Sequence, residues 1–335
     1  MAKNGTLTID GEDIFTKYGV VVSDGGLASL VQWPSLKEVE SNDWFEEDGL
    51  EADLSAPRLA SRDVEIPLSL VRGNDILGLL AMLGSRTFHE VYSPDLGMTF
   101  RLRYVSCGSV STVNGDVGTA SVTMADDFPL WNFTRNGLAS TSVPACGIII
   151  DLRDLSAYGV RVLQGTVDSF RQAAESKTPL TRDIAARDGL ITDGVTGGGL
   201  TVEKGPSYDN PAMRKRSRSV TVKCLMSRMT AAAFAKNWRA LLYDLTRPDG
   251  RTVTVAALER SFRCYYSSCS VERFYSATGG LWCEFTLTIV ITGDFRLDDE
   301  DMILATEDGI AVYTEDDEYA INVRPNRFAY PTMRP

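Results

Sequence analysis

The chain has 335 residues, of which 44% are hydrophobic and 24% are charged, and its formal net charge is −11. A chain of this length usually divides into more than one domain, so we expect two domains. The composition excludes a disordered chain. The acidic balance argues against a general nucleic-acid binder, because such a protein needs a positive surface to displace counterions from phosphate.

The first half of the chain predicts a series of strands interrupted by one helix. Apolar residues alternate or cluster as in strands with a buried face, over residues 18–22, 61–68, 98–107 and 121–130. Between the second and third of these segments, apolar residues recur at helical spacing. We therefore predict a helix over residues 75–83, with Asn74 or Asp75 as its N-cap.

The second half repeats this order. Both halves open on an Ile-Asp pair, at Ile9-Asp10 and at Ile150-Asp151. Strand patterns follow over 158–162, 217–224, 261–269 and 288–297. A helix is predicted over 230–245 with Thr230 as its N-cap. Matches in the same order along both halves indicate a duplicated, mainly β domain with one helix in each mostly antiparallel sheet.

The repeat sets the expected domain boundaries. The first repeat occupies residues 1–131, a linker rich in Asn, Ser, Thr and Gly occupies 132–145, and the second repeat occupies 146–297. The second repeat carries a Gly-rich insertion near 188–208, and loops of that length are usually functional or disordered. Residues 298–335 predict an acidic, β-hairpin-like C-terminal extension.

Few residues could carry catalysis or hold a metal. His89 is the single histidine, and it lies in a segment that alternates like a strand, so we predict no catalytic residue and no enzyme activity. The six cysteines contain no CxxC pair, which argues against zinc and favours buried free thiols. Gly197-Gly198-Gly199 lacks a following Lys-Ser/Thr, so it is no phosphate loop. We expect no cofactor and no metal.

Three tryptophans have distinct expected places. Trp238 recurs with Phe234, Leu241 and Leu242 at helical spacing, so we predict that it lies in the core. Trp33 and Trp44 flank a polar loop instead. Because tryptophan often anchors protein interfaces, both are candidate partner contacts, with burial in the core as the alternative.

Short motifs in both repeats carry a family resemblance. They are Ile9-Asp10-Gly11, Tyr18-Gly19, Asp48-Gly49 and Arg62-x-Val64-x-Ile66 in the first repeat, and Pro248-Asp249-Gly250, Arg263-Cys264-Tyr265-Tyr266 and Asp294-Phe295 in the second. In this order they resemble the tail-tube-like domain of phage distal tail proteins and of their tail-tube relatives. The resemblance covers most of both repeats.

The resemblance implies a β-sandwich or split-barrel domain with a flanking helix. Such domains form rings whose inner strands line a channel for the tape measure protein and DNA. Typical distal tail proteins carry one tube-like domain and a different second domain, whereas this chain has a second tube-like copy. A single-copy subunit usually closes as a hexamer, and a duplicated one could close as a trimer with pseudo-sixfold symmetry, so both states are open.

On this basis we expect a structural ring protein of the phage distal tail or baseplate, which connects the tail tube to the hub and lines the central channel. The alternatives are a hub or duplicated tail-tube protein in a trimeric ring, and a carbohydrate-binding adhesin module at the tail tip. Expected partners are the chain itself, the tail tube protein, hub and tail-tip proteins and the tape measure protein, with DNA only in transit.

The expected location is the virion tail, after synthesis in the host bacterial cytoplasm. Residues 1–6, MAKNGT, lack the apolar core of a signal peptide. No apolar run in the sequence is long enough to span a bilayer, so no membrane insertion is expected.

Overall fold

A computed structural model describes residues 6–44, 48–113, 116–172, 174, 215–277 and 280–296. The fold is mainly β, with two curled half-barrel sheets, as the sequence predicts. The Gly-rich insertion at 188–208 and the C-terminal extension at 298–335 lie outside the described residues.

The first sheet is antiparallel throughout and is formed by the first repeat. The strands of this half are β1 (Thr8–Ile9), β2 (Glu12–Asp13), β3 (Val20–Val22), β4 (Ser41–Asn42), β5 (Glu51–Ala52), β6 (Arg62–Leu70), β7 (His89–Ser93), β8 (Met98–Cys107), β9 (Ser111–Val113) and β10 (Val117–Asp126). Their order in the sheet is β2-β1-β7-β8-β10-β6-β3, and β9 pairs with β10. β4 and β5 form a separate pair.

The second sheet has the same plan. Its strands are β11 (Ile148–Ile150), β12 (Arg153–Asp154), β13 (Val160–Val162), β14 (Arg218–Met229), β15 (Arg251–Val255), β16 (Arg260–Ala277) and β17 (Gly280–Arg296). Their order is β12-β11-β15-β16-β17-β14-β13, so each strand occupies the place of its counterpart in the first repeat. The duplication inferred from short motifs is therefore present in the topology of the sheets.

Helices also recur in pairs. Among the described residues, the α-helices are α1 (Ile14–Tyr18), α2 (Leu27–Val31), α3 (Ile76–Leu83), α4 (Thr166–Arg171) and α5 (Ala231–Leu245), with 3-10 turns at Leu155–Tyr158 and Ala256–Leu258. The predicted caps of the two longer helices are confirmed, since the Asp75 carboxylate accepts from Gly78 N and the Thr230 hydroxyl accepts from Ala233 N. The α3 and α5 bounds match the helical periodicity in the sequence.

The Tyr-Gly-Val segments, expected to be strands, begin as helical turns instead. Tyr18 ends α1 and Tyr158 ends the first 3-10 turn, and strands start only at the following valines. The carboxylates of Asp13 and Asp154 cap the starts of these turns. Gly19 and Gly159 end them in the left-handed conformation, with φ of 63° and 84°, which favours glycine. The closing strand of the first repeat also ends early, at Asp126.

The short helices α2 and α4 cover the outer edges of the long strands β6 and β14. The Ser29 hydroxyl donates to Glu65 O at 2.6 Å, and the Ser169 hydroxyl donates to Thr221 O at 2.9 Å. The guanidinium of Arg218 donates to two carbonyls at the end of α4, and Arg62 does the same at the end of α2. An unpaired strand edge can pair with another chain, and these contacts cover part of the edges of β6 and β14.

Candidate interaction surface

Trp33 lies at the junction between the two repeats. It is 4% exposed, and its ring centroid is 4.4 Å from that of Trp238 on α5. Tyr266 on β16 and Phe285 on β17 complete the cluster, at centroid distances of 6.1 and 6.0 Å. Burial of aromatic surface of this size is a main source of stability in an interface. A residue of the first repeat thus fills the core of the second.

Two hydrogen bonds fix the chain on either side of Trp33. The indole Nε1 of Trp238 donates to Val31 O at 3.0 Å, and the Tyr266 hydroxyl donates to Pro34 O at 2.6 Å. Both donors are buried, so each would lose free energy if its acceptor moved away. The position of the segment is therefore set by hydrogen bonds as well as by packing.

The same segment occupies an open edge of β16. β15 pairs with β16 only as far as Cys264, which leaves the continuation of β16 without a strand neighbour on that side. The Gln32 amide bridges this edge: its Nε2 donates to Cys269 O, and its Oε1 accepts from Val271 N at 2.9 Å. Leu36 N donates to Ser267 O at 2.8 Å. Gln32 to Leu36 therefore take the place of an additional strand.

A second contact between the repeats comes from the loop around Asp48-Gly49. Lys215 N donates to the Asp48 carboxylate at 2.7 Å, and Gly49 N donates to Lys215 O at 2.7 Å. Gly49 has φ of 78°, and a Cβ at this residue would lie 1.5 Å from Thr292 O. Only glycine fits so close to the backbone of β17, which gives this motif a role in joining the repeats.

The two candidate partner contacts lie in different environments. Trp33 is enclosed by the second repeat of its own chain, which leaves 4% of its surface for any other molecule. Trp44 is 51% exposed, and its Nε1 donates to Glu51 at 2.6 Å. Trp44 therefore keeps a surface on which a partner could pack. Trp238 lies in the core, as predicted, at 2% exposure.

His89 is a buried structural residue. Its Nδ1 lies 2.8 Å from the Asp10 carboxylate and its Nε2 lies 2.9 Å from Leu83 O. The residue is 1% exposed. At the same place in the second repeat, Arg251 donates to the Asp151 carboxylate at 2.8 Å. Both aspartates also accept from the backbone of the neighbouring strand. The histidine thus performs the bracing role that an arginine performs in the other repeat.

The six cysteines are free thiols, as predicted. Four of them are buried, in β14, β16 and β17, whereas Cys107 and Cys146 are partly exposed. Burial raises the pKa of Cys264 to about 12 and the pKa of Cys269 well above its ordinary value. These thiols remain protonated at neutral pH and behave as small apolar side chains.

Asp244 on α5 ties the linker to the second repeat. Its carboxylate accepts from the Arg135 guanidinium at 2.9 and 2.6 Å and from the Tyr158 hydroxyl at 2.6 Å. Burial by itself raises the pKa of Asp244, but the hydrogen bonds from Arg135 and Tyr158 outweigh it, so the pKa is lowered. Because the pKa is lower in the folded state, the ionised carboxylate stabilises the fold at a pH above the unfolded pKa of about 4. This stabilisation is lost as the pH falls through the folded-state pKa.

We expect Asp244→Asn to weaken the fold at pH 7 and to approach the wild type in stability below a pH of about 4. The free energy of unfolding, measured by urea denaturation at pH 7, 5 and 3, checks this. Asp168→Asn is the matched control, because the Asp168 side chain is 72% exposed and forms only a surface pair with Arg171. A difference between Asp244→Asn and wild type that is the same at every pH would contradict the ionic origin of the effect.

Gln32 is the functional residue that the sequence reasoning missed. A signal was present, because the two repeats share a Ser-x-x-Gln pattern at Ser29 to Gln32 and at Ser169 to Gln172.

Within the described ranges, no group of three or more His, Cys, Asp or Glu side chains is placed to hold a metal ion. A search of the helices in the described ranges also finds none that is both long and apolar enough to cross a membrane.

Comparisons with known proteins give distant similarity to solved structures only. Neither a protein-family model nor a curated protein sequence matches the chain. Among solved structures, the SPP1 Dit protein, described as a paradigm of the hub adsorption apparatus in phages that infect Gram-positive bacteria, is 12% identical. The match covers 88% of this chain and 100% of that chain with a TM-score of 0.29, a value too low to establish a common fold.

Proposed function

We propose that the chain is a structural, self-assembling ring protein of a phage tail tip, at the distal tail or baseplate. The observation that carries the proposal is the junction within the chain. The two repeats have the same strand order, and they are joined because a segment of the first repeat lies along a sheet edge of the second. The chain therefore contains a head-to-tail contact between like units.

Contacts of this kind generate assemblies. When one surface of a unit binds a different surface of the next unit, repetition of the contact closes a ring or extends a filament. The two repeats of this chain are related by such a contact. Its repetition between chains would produce a ring of repeats, in accord with the motifs that resemble tail-tube-like domains.

The placement of the reactive side chains supports a structural role over an enzymatic one. His89 and Asp244 are both engaged in contacts that hold elements of the fold together. Cys224, Cys264, Cys269 and Cys283 are buried. The proposal is therefore that the protein acts by binding and not by catalysis.

The proposed partners are further copies of the chain, the tail tube protein, hub and tail-tip proteins and the tape measure protein. DNA would pass through the channel without being held. The net charge of −11 suits this role, because like charges at short range repel phosphate. The proposed location is the virion tail.

The oligomeric state tests the proposal. We expect size-exclusion chromatography with light scattering to give a discrete trimer or hexamer of the 36.7 kDa chain, and electron microscopy to show rings. A trimer would favour the hub or duplicated-tube alternative, and a hexamer would favour the distal ring. A monomer at the highest soluble concentration would overturn the proposal, as would an open aggregate without rings.

A further inference from the structure

Strands β8 and β16 correspond residue by residue along their outer edges. Leu102 pairs with the first residue of β7, and Cys264 pairs with the first residue of β15. Five residues further on, Cys107 and Cys269 pair with corresponding residues of β10 and β17. Tyr104 is therefore the counterpart of Tyr266, a residue that contacts the segment from the other repeat.

The two edges differ in what covers them. Gln32 to Leu36 lie along the edge of β16. On β8, pairing with β7 ends at Leu102, and no strand among the described residues continues it over residues 103–107. The Tyr104 hydroxyl makes no hydrogen bond to a described residue, whereas the Tyr266 hydroxyl donates to Pro34 O. The edge of β8 therefore corresponds to the edge of β16, but no described segment forms backbone hydrogen bonds along it.

Exposed apolar side chains mark the same end of the sheet. Four valines on β8, β9, β10 and the connection between the first two are exposed by 44–64%: Val105, Val110, Val113 and Val117. An open strand edge beside exposed apolar surface is a site for pairing with another chain. The patch therefore favours a protein surface as the occupant of this edge.

A counterpart of Gln32 is present at the end of α4. Gln172 follows α4 as Gln32 follows α2, with ψ of 134° against 135°. Ser169 and Ser29, three residues earlier, make the same pair of hydrogen bonds. Gln32 is half-buried against β16, whereas Gln172 is exposed. The second repeat thus presents a glutamine in the same backbone setting as Gln32. No described residue of the chain forms a hydrogen bond with the Gln172 side chain.

We infer that the outer edge of β8, at residues 103–107, binds the second repeat of another copy of this chain through Gln172. The contact repeats, between chains, the one that Gln32 makes with β16 inside the chain. Its two sides are different surfaces, so each chain can bind one neighbour on each side. The inference rests on the proposed self-assembly and names the interface that produces it.

Cross-linking tests the geometry. Cys107 is partly exposed at the β8 edge, so a short bismaleimide should join it to the new thiol of Gln172→Cys in a neighbouring chain. The protein concentration is raised at least about ten-fold to offset the loss of the Gln172 hydrogen bonds. Denaturing gels should then show a ladder at multiples of 36.7 kDa. The control is Gln172→Cys combined with Cys107→Ser, which should give no ladder. An assembled Gln172→Cys protein without Cys107-dependent cross-links would overturn the inference.

Affinity tests the same interface independently. Val105→Lys places a charge on the exposed edge, and we expect self-association at least about ten-fold weaker, measured by sedimentation velocity. Gln172→Ala should also weaken it by about ten-fold through the loss of two hydrogen bonds. Leu152→Lys is the control, because Leu152 is 88% exposed and lies beside β12. β12 is at the end of the second sheet opposite to β13.

The outcomes separate the inference from the proposed function. A wild-type monomer would overturn both. A wild-type assembly that Val105→Lys and Gln172→Ala leave unchanged would overturn the interface alone. Loss of assembly in Leu152→Lys to the same extent would also overturn it, because the effect would then be one of surface charge. Far-UV circular dichroism of each variant confirms that the fold is retained.

Discussion

Trp33→Ala should lower the free energy of unfolding by about 3–5 kcal/mol, the range for removing a buried tryptophan from a core. The reason is that the indole fills the space between the repeats, against Trp238, Tyr266 and Phe285. Its removal should leave a cavity lined by these three rings, and an unfilled cavity adds to the cost of losing the buried side chain. Denaturant unfolding followed by far-UV circular dichroism measures the loss, and does not depend on tryptophan emission.

Trp44→Ala is the matched control for this variant. Trp44 is 51% exposed, so its removal should change stability by no more than about 0.5 kcal/mol. If Trp33→Ala unfolded in two separate transitions, the junction would be what couples the repeats into one unit. Equal effects of the two substitutions would contradict the assignment of Trp33 to the core.

Asp126→Ala should also destabilise the protein strongly, by about 3–5 kcal/mol, because it leaves a buried guanidinium without its counter-charge. The Arg62 and Asp126 side chains are 11% and 3% exposed, with Nη2 and Oδ2 3.1 Å apart. Burial lowers the pKa of Arg62 and raises the pKa of Asp126, in spite of their attraction. Thermal and urea unfolding at neutral pH measure the change.

The neighbouring residue supplies the control. Asp127 pairs with Arg103 at 2.9 Å, but the Arg103 side chain is 41% exposed, so solvent screens the pair. Asp127→Ala should therefore have a much smaller effect than Asp126→Ala. Combining Asp126→Ala with Arg62→Met should recover part of the lost stability, since no buried charge then remains. A double variant as unstable as the sum of the two single variants would contradict the coupling.

Much of the local structure could be predicted from the sequence. Apolar alternation predicted β6 and β14, and helical spacing with Asp75 and Thr230 as caps predicted α3 and α5. These features depend on contacts within one element and on which face is buried. The boundaries before Gly19 and Gly159 were wrong, because side-chain caps and a left-handed glycine gave the backbone a helical turn that apolar patterning does not reveal.

The interaction surface was less accessible to such reasoning. Trp33 stands beside polar residues, and its burial depends on Trp238, whose indole bonds to a carbonyl 207 residues away along the chain. Gln32 binds an edge of β16 that exists only because β15 is short. Neither property has a local pattern, so composition and periodicity left partner contact and core burial open for Trp33.

The sequence alone determined that the chain is a duplicated, mainly β protein, since repeated motifs and strand periodicity are properties of the chain itself. The tertiary structure decided how the repeats meet: Trp33 is buried between them, Gln32 completes the edge of β16, and Gly49 permits close approach to β17. The physical reason is that an open strand edge is defined by the lengths of its neighbours in the sheet, and those lengths are set by long-range pairing. The counterpart edge on β8 became visible only once both sheets could be compared strand by strand.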